Sequence, residues 1–89
     1  MKAVITVTGN DRKGIIAAVS AALLEVDINI LDISQTTMQE IFTMIMLVDI
    51  SECSLDFSVL ANTLETLGKN IGMVINVQHE DIFNSMHRV

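Results

Sequence analysis

Apolar and polar side chains alternate from residue 3 to 8, with Val4, Thr6 and Thr8 on one side and Ile5 and Val7 on the other. A period of two marks a strand. The polar string Gly9-Asn10-Asp11-Arg12-Lys13-Gly14 then ends the run as a turn. Beyond it Ile15, Val19, Ala22 and Val26 recur at helical spacing, which predicts a helix over residues 13–27. Its other sides carry Ile16, Ala17, Ala18, Ala21, Leu23 and Leu24, and no charge falls between Gly14 and Glu25. A helix apolar nearly all round is expected to be buried on more than one side.

Residues 29–37 return to strand composition, and Met38-Gln39-Glu40 reads as a hairpin turn. The next strand, over residues 41–50, sets Phe42, Met44, Met46, Val48 and Ile50 on one face and Ile41, Thr43, Ile45 and Leu47 on the other. Two apolar faces predict a central strand or one covered on both sides. After a loop at 51–54, the stripe Phe57, Leu60, Leu64, Leu67 and Ile71 marks a second helix, with Asn62, Glu65 and Thr66 outside it. Gly68 and Gly72 stand where left-handed backbone is expected at its end. Residues 73–78 form a last strand, and 81–88 a short amphipathic helix with Ile82, Phe83 and Met86 on its inner side. The order is β-α-β-β-α-β plus a terminal helix, an α+β plan of a four-stranded antiparallel sheet with two helices on one face. With no repeat, linker or low-complexity tract, residues 1–78 read as one domain, and 79–89 as a helical tail packed on it.

Composition adds a partner to this picture. The 89 residues are 51% hydrophobic, with three Phe, six Met and no Trp or Tyr, so the excess is aliphatic; mean hydropathy is +0.53. A domain this small cannot hide so much aliphatic surface alone, which predicts a second buried face in a homodimer. The net charge of −6, with five Lys and Arg in all, argues against nucleic acid, whose phosphates require clustered cations. The apolar stretch over residues 15–24 is too short to span a membrane, and the first nine residues read as a strand rather than a signal peptide. A single cysteine, Cys53, excludes an internal disulfide and any CxxC site and fits a reducing, cytoplasmic location. Cys53 has no His near it in sequence and no nucleophile elbow is present, so no catalytic role and no cofactor are implied. Other proteins of this topology are set aside by their missing residues. Heavy-metal chaperones need CxxC, RNA-recognition domains need more strand aromatics than Phe42, and the acylphosphatase pattern around Arg12 is lacking.

The turn after the first strand holds the candidate chemistry. Gly9 allows a sharp exit from the strand, Asn10 or Asp11 can cap the first N–H groups of the helix, and Gly14 permits close backbone approach. A small anion arriving there meets unpaired N–H groups at the positive end of a helix dipole. Asp11 has two open roles: a structural cap, or a contact to an effector's amino group. Within the whole topology, Gly9-Asn10-Asp11-Arg12-Lys13-Gly14-Ile15-Ile16-Ala17 resembles the opening motif of ACT domains. It is most similar to the D-x-x-G-I-(I/V)-A form of small regulators and formyltetrahydrofolate hydrolases. Asp27-Ile28-Asn29-Ile30-Leu31-Asp32-Ile33 resembles the family's (V/I)-N-I-x-D-(I/V) strand, and the tail from His79 to Arg88 resembles that of stand-alone single-ACT proteins. The resemblance implies a ferredoxin-like fold and a non-catalytic module. Such a module binds an amino acid or related metabolite and acts as a homodimer, with any regulated enzyme on a separate chain. By resemblance the effector contacts are Asn10, Asp11 and Gly14, with Ile15 and Ile16 beside them; Lys13 stands where many relatives have proline.

Two alternatives belong to other classes. The surplus aliphatic surface also fits an assembly module with no small-molecule ligand. His79, Glu80, Asp81 and His87 form the one cluster that could hold a metal, although acids opening a helix and a His near its end are ordinary dipole chemistry.

Overall fold

The computed structural model describes residues 1–81. β1 (Lys2–Asn10), α1 (Ile15–Glu25), β2 (Asn29–Met38), β3 (Ile41–Asp49), α2 (Phe57–Ile71) and β4 (Met73–His79) follow in the expected order. They form one sheet, β2-β3-β1-β4, in which every neighbouring pair is antiparallel. Both helices lie on one face, the face to which the core residues of the strands point; Val4 of β1 is buried too, but on the other parity and outside that core. Ala3, Ile5 and Val7, Phe42, Met44, Met46 and Val48, and Met73 and Ile75 close one core with Ile15, Val19 and Leu23 of α1 and Leu60 and Leu64 of α2. Register puts Val7 between Met44 and Ile75, and Ile5 between Met46 and Val77, so these two rungs of the inner face are apolar across three strands. No polar or charged side chain is buried among the described residues. Burial of aliphatic groups, at about 25 cal/mol per Å², is therefore what holds the layers together. No described helix is long and apolar enough to cross a membrane. The terminal helix expected over 81–88 lies, from residue 82, outside the described residues.

Three expectations change. α1 starts at Ile15 rather than residue 13, because Gly14 sits at φ 85°, left-handed, and interrupts helical backbone before it. It ends at Glu25, with Asp27 at φ 62° turning the chain into β2. α1 is not buried on several sides within one chain: Ile16 and Leu24 are exposed, the latter by 76%, and only Ile15, Val19 and Leu23 are buried. Gly68 is not a left-handed end residue either. It lies inside α2, whose cap is Gly72 at φ 75°. A Cβ on Gly68 would sit 2.5 Å from the Met73 carbonyl oxygen, so it is glycine for lack of room.

β3 is central, as its two apolar faces required, yet its outer face remains open, with Ile41 52% and Ile45 39% exposed. β2 is less covered still. Ile33 lies opposite Met46, on the helix side of the sheet, and is nonetheless 41% exposed. The helical layer stops short of β2. A bulge at Leu31, between the pairs Ile30–Val48 and Asp32–Leu47, bends this outer strand. At its far end Gln39 and Glu40 make the hairpin turn at φ 47° and 73°, left-handed values that Asn-Gly would adopt with less strain.

Gly68→Ala is expected to lower the stability of the domain by roughly 1–3 kcal/mol, although alanine is the better helix former, because the added methyl overlaps backbone. Urea denaturation monitored by circular dichroism measures this.

Candidate functional site

The segment 11–14 leaves β1 and is pinned at two points before α1 begins. The Asp11 N–H donates to the Glu40 carbonyl at 2.7 Å, across to the β2–β3 turn. The Arg12 guanidinium donates through Nη1 to the Ile71 carbonyl at 3.0 Å, at the C-terminal end of α2. That carbonyl belongs to the last, unpaired set of the helix, where a cation is favoured. Gly14 then caps α1 with no side-chain hydrogen bond, and no acidic residue occupies the first turn. Asp11 does not cap: the helix starts four residues later, at Ile15, and receives no side-chain cap hydrogen bond. The first intrahelical bond runs from Ala18 to Gly14 at 2.9 Å. The amides of Ile15, Ile16 and Ala17 therefore precede any intrahelical acceptor.

A cavity of about 260 Å³ opens at this helix end, lined by Asp11, Arg12, Gly14, Ile15, Ile16, Ala17 and Phe42. It brings a carboxylate, a guanidinium and uncapped helix amides together over an apolar wall. Phe42, 5% exposed, supplies part of that wall from β3. Of the residues singled out in the sequence, Asp11, Gly14, Ile15 and Ile16 line the cavity. Asn10 does not: it is the last residue of β1, opposite Ile41 in the ladder. Arg12, Ala17 and Phe42 were not singled out. Arg12 and Ala17 lie in the same motif and could have been; Phe42 carries no sequence signal linking it to the loop.

A second cavity, about 410 Å³, lies at the opposite end of the sheet and is lined by Asp27, Asn29, Asp49, Ser51 and Glu52. It is larger, but its three carboxylates have no apolar wall beside them, and the N-terminal ammonium of Met1, 3.6 Å from Asp49, already partners one of them, so it suits a small metabolite less well. Hydrogen bonds from the Ser51 hydroxyl and from the Ser51 N–H, the latter 2.9 Å, hold Asp49 below the usual carboxylate range. Among the described residues no group of three or more His, Cys, Asp or Glu is placed to hold a metal ion. His79 stacks on Phe57 with ring centroids 4.1 Å apart, and His87 lies outside the described residues. Cys53 is a half-buried free thiol packed against the core.

Residues 2–78 match the family model of the ACT domain. The chain belongs to the ACT domain family. ACT domains are small-molecule-binding regulatory modules. The chain is 58% identical to a UPF0237 protein of Methanococcus maripaludis, over 97% of this chain and 96% of that one. An ACT domain protein from Streptococcus pneumoniae has a solved structure with TM-score 0.83 and 45% identity, covering 98% of both chains. A formyltetrahydrofolate deformylase from Pseudomonas putida shares the fold alone. Its TM-score is 0.80 at 12% identity, over 91% of this ACT chain and 30% of the deformylase. The fold is thus the ferredoxin-like ACT fold.

The Asp49 carboxylate predicts a pH effect at the far end of this ACT domain. Its folded pKa is depressed, so its contribution to stability is present above the ordinary carboxylate range and is lost as pH falls through the folded value. Asp49→Asn is expected to flatten that part of the acid limb in urea titrations run from about pH 5 down to about pH 2, roughly the span from the ordinary carboxylate range through a depressed one.

Proposed function

We propose that this chain is a non-catalytic regulatory ACT module that binds an amino acid or a related small metabolite at the α1 cavity and works as a cytoplasmic homodimer. The observation that carries the ligand reading is the cavity's composition. Asp11 offers an acceptor for an ammonium group, while Arg12 and the open amides of residues 15–17 offer donors for a carboxylate. Phe42 and Ile15 suit a small apolar side chain between them. Opposite charges lining one cavity beside an apolar wall fit a zwitterion better than a simple anion.

The homodimer reading rests on surface that one chain leaves open. β2 presents an unpaired edge with one charge, Asp32, and no proline, and an edge of this length is a ready template for another strand. Beside it α1 turns outward Ile16, Ala17, Ala21 and Leu24, an uncharged stripe. A second copy of this chain is the occupant that matches both at once, because a two-fold axis sets edge on edge and stripe on stripe. Any regulated enzyme is then a separate chain.

Thermal denaturation with each of the twenty amino acids tests the ligand. A binder at about a hundred times its Kd should add about 2.7 kcal/mol, and Asp11→Ala should abolish the shift. A melting temperature that no candidate moves, or a shift that survives Asp11→Ala, rejects this site. If the chain still self-associates in that case, the assembly reading takes its place. Sedimentation velocity checks the pairing: the wild type is expected as a dimer at micromolar concentration, and Leu24→Glu with Ile33→Lys as a monomer.

A further inference from the structure

We infer that the loop at residues 11–14 is a mechanical junction through which the state of the α1 cavity is transmitted to the free β2 edge. The regulatory meaning of this junction rests on the ligand reading above; the junction itself does not.

The loop is tied to two elements of unequal stiffness. Through Arg12 it reaches the Ile71 carbonyl and the turn at Gly72, which leads into β4. That region is tightly packed. A methyl on Gly9 would come within 2.6 Å of the Met73 sulfur and 2.8 Å of the Gly72 carbonyl, and one on Gly68 within 2.5 Å of the Met73 carbonyl. Nothing there can yield without moving β1 and α2 together. Through the main chain of Asp11 the loop reaches the Glu40 carbonyl, on the tip of the β2–β3 hairpin. Here the situation is reversed. Among the described residues β2 pairs only with β3, and the two helices do not extend over Ile33, which is exposed.

The tip itself is poised. A two-residue turn of type I′ needs left-handed backbone at both positions, for which Asn-Gly is the low-strain choice. This chain has Gln39 at φ 47° and Glu40 at φ 73° instead. A turn held in a costly conformation has little reserve, so the one hydrogen bond from Asp11 bears more on its population than it would in a relaxed turn. Phe42 adds a second point of contact. It walls the cavity and is the cross-strand partner of both Gly9 in β1 and Thr37 in β2. A ligand that draws on Asp11 or presses on Phe42 thus acts twice on one hairpin, and the stiff α2 side directs the response to β2.

Hydrogen–deuterium exchange on the full chain, without ligand, tests the junction. Gly14→Ala perturbs the loop and the first turn of α1 that Gly14 caps, through backbone strain at φ 85° and no clash, since open space surrounds its missing Cβ. It should speed exchange of the ladder amides next to the tip, residues 36–42, by about fivefold, the worth of one net hydrogen bond. The rungs beyond the bulge at Leu31 should not change. In reverse, Gln39→Asn with Glu40→Gly relaxes the tip and should slow exchange of the Asp11 amide by a similar factor, because coupling is reciprocal. Arg12→Gln should loosen residues 71–73 and leave the hairpin unchanged. Changes confined to residues 10–17 in Gly14→Ala, or an Asp11 amide indifferent to the relaxed tip, overturn the inference. If Gly14→Ala does not fold, the tip variant decides alone. A failed amino-acid screen would leave these exchange results standing, so the two readings fail separately.

Discussion

The close passage of the Gly72–Met73 backbone between β1 and α2 is the constraint on which the end of the domain that carries the proposed effector cavity depends. Two elements must surrender a side chain to admit it, Gly9 from the strand and Gly68 from the helix. Once that passage is made, α2 ends in a left-handed Gly72, β4 begins against β1, and the Ile71 carbonyl is left facing Arg12. Arg12 then pulls the loop toward α2 while Asp11 ties it to the hairpin. The cavity is the space these two attachments leave over Phe42. Its shape is thus set by backbone packing some distance from any ligand contact, and only secondarily by the loop's own composition.

The same packing leaves the sheet lopsided. α2 and α1 cover β4, β1 and β3, and β2 is attached along one side only. A chain that is half apolar has enough aliphatic residues to fill the inner layer and still leave Ile16, Leu24, Leu31 and Ile33 in the open. In a single chain these side chains are unfavourable in water; in the proposed dimer they would bury one another. The apolar excess and the uncovered edge are therefore two aspects of one geometry. The strained Gln39–Glu40 turn lies where that edge meets the ligand loop.

Charge is distributed along the same axis. Of the four Lys and Arg within residues 1–81, Arg12, Lys13 and Lys69 stand at the loop end, and Lys69 is within 3.8 Å of Glu65. Glu25, Asp27, Asp49, Glu52 and Asp56 gather at the opposite end. Asp11, Glu40 and Glu65 balance these three cations at the loop end, whereas acids predominate at the other, so an anionic group is repelled less at the loop cavity than at the carboxylate-lined one.

Much of this was legible in the residues alone. Period two in residues 3–8 and 41–50 and the helical stripes after Gly14 and Asp56 specify the βαββαβ order, because each element can bury its apolar side only in that conformation. The loop motif was legible for a similar local reason: glycines and polar residues between a strand and a helix mark a turn whose amides are open. What the linear pattern cannot carry is which apolar surface meets which. α1 reads as buried all round, since an outward Ile16 or Leu24 looks the same in sequence as an inward Val19; only the width of the sheet decides. Gly68 looks like a helix end until Met73 is seen beside it. Phe42 and the Glu40 carbonyl join the site from far along the chain, brought there by strand register. Local sequence thus determined the elements and the loop's chemistry, through backbone periodicity and turn preference. The tertiary structure alone decided the cavity, the uncovered edge and the link between them, because those arise from contacts between segments whose sequences carry no record of each other.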